Sequence, residues 1–322
     1  MRLRLVPQQT NFDFFRYARV TLGASVVAMV LSLGIWATIG LNFGIDFLGG
    51  TTIRAESSTP VDVGEYRNAL SALDLGDVSI AEVFDPAFGA DRHVAMIRIQ
   101  TQEGQEAVTP ETVTAVQTAL RDVYPDMTFP SVESVGPKVS GELIVTALIA
   151  VVASLAAILI YIWLRFEWQF SLGAVAALIH DITLTIGVFS IVQIRFDLAT
   201  IAALLTIVGY SINDTVVIFD RLRENLIKYK QRPLKEVMNL SANETLGRTL
   251  MTSGTTLLAL LALLILGGDV IRGFVFAIFW GVIVGTYSSI YVAKNVVLMI
   301  GVKRDWSKPN TQSGTQFSKT DA

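Results

Sequence analysis

Six apolar runs, each close to the length of a membrane-spanning helix, constrain the fold of this chain more than any other feature. They cover residues 20–40, 143–164, 170–192, 198–219, 248–266 and 274–300. A helix needs about 20 predominantly apolar residues to cross the hydrocarbon core of a bilayer. Hydrophobic residues make up 52% of the chain, which is too many for an ordinary soluble domain. The sequence therefore predicts a polytopic α-helical membrane protein with six transmembrane helices.

The first apolar run follows a basic N-terminal segment, residues 1–19. A secretory signal peptide has a similar basic start, but its apolar core is only about 7–15 residues long. This run is longer and no clear A-x-A cleavage site follows Trp36, so we interpret it as an uncleaved helix. Six spans place both termini on one side, together with the basic segment 220–247. The positive-inside rule makes that side cytoplasmic, and the polar tail 301–322 is predicted to be disordered.

The acidic segment 41–138 is the one region that reads as a soluble domain. Its patterns predict strands at 45–55, 78–84, 94–100 and 129–135, and helices at 63–73 and 109–124. Asp62 and Thr109 are predicted to cap the two helices, and Pro110 suits a first helical position. The order βαββαβ is typical of a ferredoxin-like α/β domain. The membrane topology places this domain between helices 1 and 2, on the periplasmic side.

Three polar clusters interrupt the apolar runs at membrane depth. They are His180-Asp181, Asn213-Asp214, and Arg248 with Thr249, Thr252, Ser253, Thr255 and Thr256. A charged side chain at bilayer depth costs at least about 2.5–3.5 kcal/mol, so it is seldom present without a function. The alternative is that Asp214 only hydrogen-bonds a neighbouring helix, and that the hydroxyls only bond their own helix backbone.

Asp214 and Arg248 lie on consecutive spans that run in opposite directions, so the topology predicts that they meet at similar depth. A carboxyl group in a low dielectric favours its neutral form, whereas a nearby guanidinium favours the ionised form. Movement of Arg248 toward or away from Asp214 would then load or release a proton. We take this pair as the candidate proton-coupling site, with Asn213, Thr252, Ser253, His180 and Asp181 as supporting polar residues.

The last span carries a small residue at every fourth position, including Gly281, Gly285 and Ser289. Such a stripe lets another helix approach closely, and it predicts packing within the chain or against a partner subunit.

The sequence contains no signature of an enzyme. It has no cysteine, no G-x-x-x-x-G-K-[ST] nucleotide loop, and no catalytic constellation in segment 41–138. An intramembrane protease built on His180-Asp181 lacks a nucleophile or a second metal ligand nearby. We therefore expect no cofactor, no metal and no nucleic-acid partner, and any energy must come from another source.

Several segments resemble the SecF family of bacterial Sec protein export, which belongs to the resistance–nodulation–division superfamily. They are GIDFLGGT at 44–51, VGPKVSGEL at 135–143, FEWQFSLGAVAALIHDI at 166–182, IVGYSINDTVVIFDRLREN at 207–225, RTLMTSGTTL at 248–257 and GTYSSIYVA at 285–293. These motifs span nearly the whole chain in order. In the family, the Asp of SINDT and the Arg of the RT-x-x-TS motif are the ion-coupling residues, which correspond here to Asp214 and Arg248.

The resemblance implies a subunit that pairs with SecD in a twelve-helix unit and joins the SecYEG channel, often with YajC. Such a unit sits in the bacterial inner membrane and uses the proton motive force to promote preprotein movement on the periplasmic side. The resemblance leaves open whether the coupled ion is a proton or a sodium ion. Anionic membrane lipid is the default partner of the basic segment 220–247.

Two alternatives remain at this point. One is a small-molecule exporter of the same superfamily, although such a protein normally has duplicated halves and larger soluble insertions. The other is a scaffold in which Asp214 and Arg248 form only a structural ion pair.

Overall fold

The computed structural model describes residues 10–76, 78–83, 92–100 and 108–302. In chain order its elements are α1 (Ala18–Ile39), α2 (Ile45–Leu48), β1 (Gly50–Ser57), α3 (Val63–Leu70), β2 (Val78–Val83), β3 (His93–Ile99), α4 (Pro110–Val123), β4 (Thr128–Val135), α5 (Pro137–Arg165), α6 (Trp168–Val192), α7 (Leu198–Lys228), α8 (Leu234–Leu266), α9 (Asp269–Ser288) and α10 (Lys294–Ile300). A 3-10 turn (Ser71–Leu73) follows α3, and a π-helical turn (Ser289–Ala293) joins α9 to α10.

The described residues contain six helices long and apolar enough to cross a membrane, which confirms the predicted fold class. These spans are α1, α5, α6, α7, α8 and the continuous run from Val270 to Ile300. The predicted tail, most of the N-terminal segment before α1 and the turn between β2 and β3 lie outside the described residues.

Helices α6 and α7 form the middle of the bundle. Of the 18 most apolar consecutive residues, 44% are buried in each of these two helices, against 11% in α1 and α8 and 0% in α5. The apolar faces of α1, α5 and α8 are therefore presented to the surroundings of the chain, as expected for helices that contact lipid or another membrane subunit.

The interior of the bundle has two apolar clusters separated by a polar layer. One cluster surrounds Phe170 and Phe219 near the end where α8 begins. The other surrounds Phe189 and Ile207 near the sheet domain. Between them lies the polar layer, made of His180, Asp181, Ser211, Asp214, Thr215, Ser253, Thr286 and Ser288. These polar residues of the sequence motifs therefore meet inside the bundle, whereas Asn213, Arg248 and Thr255 are exposed.

The sheet domain has the predicted βαββαβ order. Its four strands are arranged β2-β3-β1-β4, with every neighbouring pair antiparallel. The α3 and α4 helices supply Tyr66, Leu70, Val116 and Leu120 to the core beneath the sheet. Both predicted caps are present, because Asp62 accepts from the N–H of Gly64 and Glu65, and Thr109 accepts from the N–H of Thr112. This arrangement is the ferredoxin-like fold.

The predicted strand at 45–55 was wrong at its start. Residues Ile45–Leu48 form the short helix α2, and the strand begins only at Gly50. Gly49 and Gly50 have φ values of 75° and 132°, which permit the sharp change of direction. A side chain at Gly50 would also collide with the carbonyl oxygen of Ile99, at 2.4 Å from an ideal Cβ. The paired glycines therefore join a helical turn to a strand.

The start of the sheet domain is attached to the turn between α6 and α7. The N–H of Gly44 donates to the carbonyl of Phe196 at 2.8 Å, and the N–H of Phe196 donates to the carbonyl of Asn42 at 2.8 Å. Phe43 and Phe47 pack against Phe196 with ring centroids 5.9 Å apart in each case. Backbone hydrogen bonds and aromatic packing thus connect the domain to the two central helices.

The basic segment 220–247, predicted to be helical in part, is helical over most of its length. Helix α7 continues to Lys228 and α8 begins at Leu234. Leu222, Leu226, Val237 and Met238 are buried in the apolar cluster at this end of the bundle. The helices continue because one face of each remains apolar beyond the predicted span.

Candidate functional site

Asp214 lies in the polar layer at the contact of α7 with α8 and α9. The residue is 3% exposed. Among the described residues, its side-chain hydrogen-bond partner is Ser253 of α8, whose Oγ lies 3.4 Å from Oδ2. A buried carboxylate normally requires several donors or a cation. Asp214 is therefore a weakly satisfied carboxyl group in the interior of the bundle.

A chain of hydroxyls continues from Asp214. The Oγ of Ser253 is 2.7 Å from Oγ1 of Thr286, which donates to the carbonyl of Val282 at 2.7 Å. Because each hydroxyl has a single proton, the donation by Thr286 leaves Ser253 as the donor in their shared bond. A protonated Asp214 completes the chain by donating to Ser253. The geometry thus accommodates a neutral acid at Asp214 as well as a carboxylate.

Arg248, the predicted partner of Asp214, is not in contact with it in this structure. Its side chain is exposed, and none of the ion pairs within 4 Å among the described residues joins the two groups. Arg248 precedes Ser253 by five residues on α8, which is roughly 7 Å along the helix axis. Asn213 is also exposed, and Thr252 donates to the carbonyls of Arg248 and Thr249 in its own helix.

A stripe of small hydroxyl residues on α8 connects one end of the bundle with Asp214. It consists of Ser241, Thr245, Thr249 and Ser253, all buried. At one end, Asn225 of α7 donates to Ser241 at 3.0 Å. Thr249 Oγ1 has no hydrogen-bond partner among the described residues. The stripe extends over roughly 18 Å at 1.5 Å per residue. Sequence reasoning identified Thr249 and Ser253 but missed Ser241 and Thr245, although the constant spacing of four residues was a usable signal.

Asp181, on α6, is 1% exposed and far better satisfied than Asp214. Its Oδ2 accepts from Ser211 of α7 at 2.6 Å and from Ser288 of α9 at 2.8 Å. Its Oδ1 lies 3.0 Å from Nδ1 of His180. Asp181 therefore holds three central elements together through hydrogen bonds. The His180 ring stacks on Tyr287 with centroids 6.0 Å apart, and its Nε2 has no hydrogen-bond partner in the part of the chain described.

The small residues of α9 make these contacts possible. An ideal Cβ at Gly281 would lie 2.3 Å from Cγ1 of Ile207, and one at Gly285 would lie 3.0 Å from Cβ of Ser211. Ser289, in the π-helical turn, is buried and donates to the carbonyl of Thr286 at 3.0 Å. For Gly281 and Gly285, the packing stripe predicted from the sequence faces α7 of the same chain.

The fold and the site define a polytopic helical membrane protein with a ferredoxin-like domain and two carboxyl groups buried between its spans. Among the described residues, no group of three His, Cys, Asp or Glu side chains is arranged to hold a metal ion.

The family described as "Protein export membrane protein SecD/SecF, C-terminal" matches residues 115–303, and the "SecD/SecF GG Motif" matches residues 34–61. A protein translocase subunit SecF of Cereibacter sphaeroides is 64% identical over 321 residues, covering 100% of this chain and 99% of the relative. One from Rickettsia prowazekii is 41% identical over 312 residues, covering 96% of this chain and 97% of the relative. This chain belongs to the SecD/SecF family, as a SecF-type subunit of the protein translocase.

Solved structures agree with this assignment. The chain is similar to SecDF of Thermus thermophilus, described as a translocon-associated membrane protein, with a TM-score of 0.81 and 35% identity over 93% of this chain. SecDF in a super-membrane-facing form gives a TM-score of 0.68, with 37% identity over 93% of this chain. In both cases this chain covers 40% of the larger SecDF chain.

Proposed function

We propose that this subunit couples ion movement down the proton motive force to preprotein movement and release on the periplasmic side. The observation that carries the proposal is the buried, weakly satisfied Asp214 in the polar layer. A carboxylate in that position is costly because it has so few partners, and a change of protonation during a functional cycle would explain why the residue is there. The Asp181 site is satisfied by three neighbours and does not have this property.

Arg248 is proposed as the residue that responds to the charge of Asp214. In the structure, the guanidinium is exposed on α8. A neutral Asp214 would complete the hydroxyl chain through Ser253 and Thr286. Loss of the proton would leave a carboxylate that attracts Arg248 toward the polar layer. The α8 helix is one of the less buried spans, so its displacement disrupts fewer contacts than displacement of α6 or α7. The hydroxyl stripe on α8 supplies the polar route to Asp214.

The chain is proposed to act together with SecD. The exposed apolar faces of α1, α5 and α8 are available to another membrane subunit, and this chain corresponds to 40% of the SecDF chain. A SecD partner would also allow the sheet domain to pass on a movement that starts in the bundle. The SecYEG channel, YajC in some assemblies, and the preprotein itself are the further proposed partners.

The proposed location is the bacterial inner membrane, with both termini in the cytoplasm. Six spans bring the two ends of the chain to one side. Arg16, Arg19, Arg165 and Lys235 all lie at that end of the bundle, which agrees with the positive-inside rule. The sheet domain at the opposite end is then periplasmic.

The decisive experiment uses Asp214→Asn in inner-membrane vesicles that also contain SecD and SecYEG. Preprotein translocation is measured with and without a proton gradient, after the amount of the variant has been checked by immunoblot. We expect the gradient-dependent part of translocation to disappear while the subunit accumulates normally. Repeating the assay with a sodium gradient at constant pH identifies the coupled ion.

Asp220→Asn is the matched control. It removes the same charge from α7, but Asp220 is 46% exposed and forms a surface ion pair with Arg165, a type of contact worth little. Translocation by this variant is expected to keep its gradient dependence. Full gradient dependence in Asp214→Asn would contradict the coupling role and leave the subunit as a scaffold. Loss of the protein in Asp214→Asn would also indicate a structural role.

A further inference from the structure

An open pocket lies at the end of the bundle where α1 and α8 begin and α10 ends. Its volume is about 600 Å³. Three of the side chains that line it are cationic, Arg16 and Arg19 at the start of α1 and Lys235 at the start of α8, and none of its lining residues is acidic. The pocket therefore concentrates positive charge from two distant parts of the sequence.

Side chains in the described part of the chain leave the three cations uncompensated. Among the described residues, no carboxylate lies within 4 Å of Arg16, Arg19 or Lys235, although Arg16 stacks on Tyr17 at 5.4 Å. Arg19 and Lys235 also stand in the first turns of long helices, where the helix dipole disfavours a cation. Helix stability therefore does not explain their position. A bound anion would reduce the electrostatic repulsion among these three cations.

The remaining wall of the pocket is apolar and lies on the outer surface of the spans. Val20 of α1 is 67% exposed and Met299 of α10 is 74% exposed, and Leu298 lies beside them. The pocket thus joins a cationic wall to an apolar wall at one end of the helices. An amphipathic molecule with an anionic headgroup and an acyl chain matches both walls.

We propose that this pocket binds an anionic phospholipid. The lipid phosphate contacts Arg16, Arg19 and Lys235, and an acyl chain follows Val20, Leu298 and Met299. The bound lipid connects the start of α1 with the start of α8 and the end of α10. This site is separate from Asp214 and does not depend on ion coupling. With the orientation proposed above, it lies in the cytoplasmic leaflet, where anionic lipids attract basic segments.

The test is a lipid titration of the purified, delipidated full chain, followed by native mass spectrometry. Phosphatidylglycerol and phosphatidylcholine are compared for the native chain and for the triple variant Arg16→Gln/Arg19→Gln/Lys235→Gln. Each basic residue near an anionic lipid surface contributes a factor of about five in affinity. The triple variant is therefore expected to lose at least about tenfold in phosphatidylglycerol affinity, with little change for phosphatidylcholine.

The control is Arg223→Gln/Lys228→Gln/Lys230→Gln, which removes the same charge from exposed positions at the same end of the bundle, outside the pocket. It is expected to change phosphatidylglycerol affinity less than twofold. Equal losses in the two triple variants would overturn the proposal, because they would indicate attraction to the basic surface as a whole. The single variant Lys235→Gln changes one exposed side chain, and its thermal unfolding midpoint is measured to check that the fold is retained. An unchanged affinity in this variant would also contradict the site.

A competition arm separates a lipid from a soluble phosphate. Glycerol 3-phosphate, which carries the phosphate without acyl chains, is added at the same concentration as phosphatidylglycerol. We expect it not to displace the lipid, because it makes no contact with the apolar wall. Full displacement would assign the pocket to a free phosphate ester and would overturn the lipid proposal.

Discussion

Asp181 and Asp214 are two carboxyl groups in one polar layer, but their surroundings differ. Asp181 lies within 3.0 Å of three hydrogen-bond partners on its own helix and two neighbouring helices. Asp214 is nearly as buried, yet its side-chain partner among the described residues is one hydroxyl at 3.4 Å. The sequence shows both as an Asp that interrupts an apolar run.

The difference indicates how burial of an acidic residue should be interpreted in a membrane bundle. A fully satisfied carboxylate rigidifies the helices that surround it. A weakly satisfied one raises the free energy of the folded state in at least one protonation state. We therefore propose that Asp181 stabilises the bundle and that Asp214 changes its charge during the functional cycle.

The largest expected effect separates the two residues by stability. Asp181→Ala leaves Ser211, Ser288 and His180 without their shared acceptor, so we expect a loss of about 3–5 kcal/mol in the free energy of unfolding. The measurement is denaturant unfolding in mixed micelles, together with the amount of subunit in the membrane. Asp214→Asn is the comparison and is expected to unfold much like the native chain. Similar unfolding of both variants would remove the distinction between the two sites.

The next effect tests whether close packing of α7 and α9 is needed to build the layer. Gly281→Ala places a methyl group 2.3 Å from Cγ1 of Ile207, which is a steric clash. We therefore expect a loss of about 1–3 kcal/mol in the free energy of unfolding. Gly209→Ala, on the opposing α7, is the matched control because nothing lies within 4 Å of its ideal Cβ. That variant is expected to be neutral or slightly stabilising, since alanine favours helix over glycine. Equal unfolding midpoints for the two variants would contradict the packing role of the α9 stripe.

A pair of serine variants, with an effect on stability similar to that of Gly281→Ala, sharpens the comparison. Ser211→Ala removes a 2.6 Å hydrogen bond to Asp181, and a bond to a charged group is worth about 1.5–3 kcal/mol. Ser253→Ala removes the 3.4 Å contact to Asp214 and is expected to cost less than about 1 kcal/mol in stability.

The functional result of the serine pair should be reversed. Ser253→Ala is expected to reduce gradient-dependent translocation several-fold, whereas Ser211→Ala should leave it intact in molecules that remain folded. Translocation normalised to the amount of folded subunit is the measurement. A larger functional loss in Ser211→Ala would move the coupling role to Asp181.

The smallest effect concerns Asp126, a solvent-exposed carboxylate that, like Asp181, accepts hydrogen bonds from two serines. Asp126 accepts from Ser57 and Ser58 in the sheet domain, and the Ser58 hydroxyl is the main cause of a lowered pKa. A lowered pKa stabilises the folded state above the unfolded carboxyl pKa of about 3.9, and this stabilisation is lost as the pH falls through the folded value. We expect a slightly lower thermal midpoint for Asp126→Asn at pH 7 and no difference at strongly acid pH. A difference that persists in acid would contradict the assignment.

Much of the fold could be predicted because its signals are local. Apolar runs of bilayer length fix the six spans, and Asp62 and Thr109 mark helix starts through their own side chains. Local signals failed at Ile45–Leu48, where four residues are too few to show a period. Between Phe219 and Arg248 they predicted partial helix but not the helix ends, because the helices continue on one apolar face after the apolar run ends.

The candidate site could be predicted only in part. The cost of burying a carboxyl group identifies Asp214 from the sequence alone, and its coupling role with Arg248 remains a prediction. The contrast with Asp181 was not predictable, because Ser288 lies 107 residues further along the chain and contacts Asp181 only after three helices have packed. Sequence spacing also does not determine whether Arg248 faces the layer or the surroundings.

The π-helical turn at Ser289–Ala293 has a consequence for the phase of the last span. A π-turn accommodates one residue more than an α-helical turn, so the residues after it are rotated by about 100° relative to an uninterrupted helix. Gly281 and Gly285 can therefore point at α7, while Lys294 and Val297 are buried against a different set of neighbours. One inserted residue allows a single span to present two separate faces. Deletion of that residue would rotate one half of the span away from the helices that it contacts.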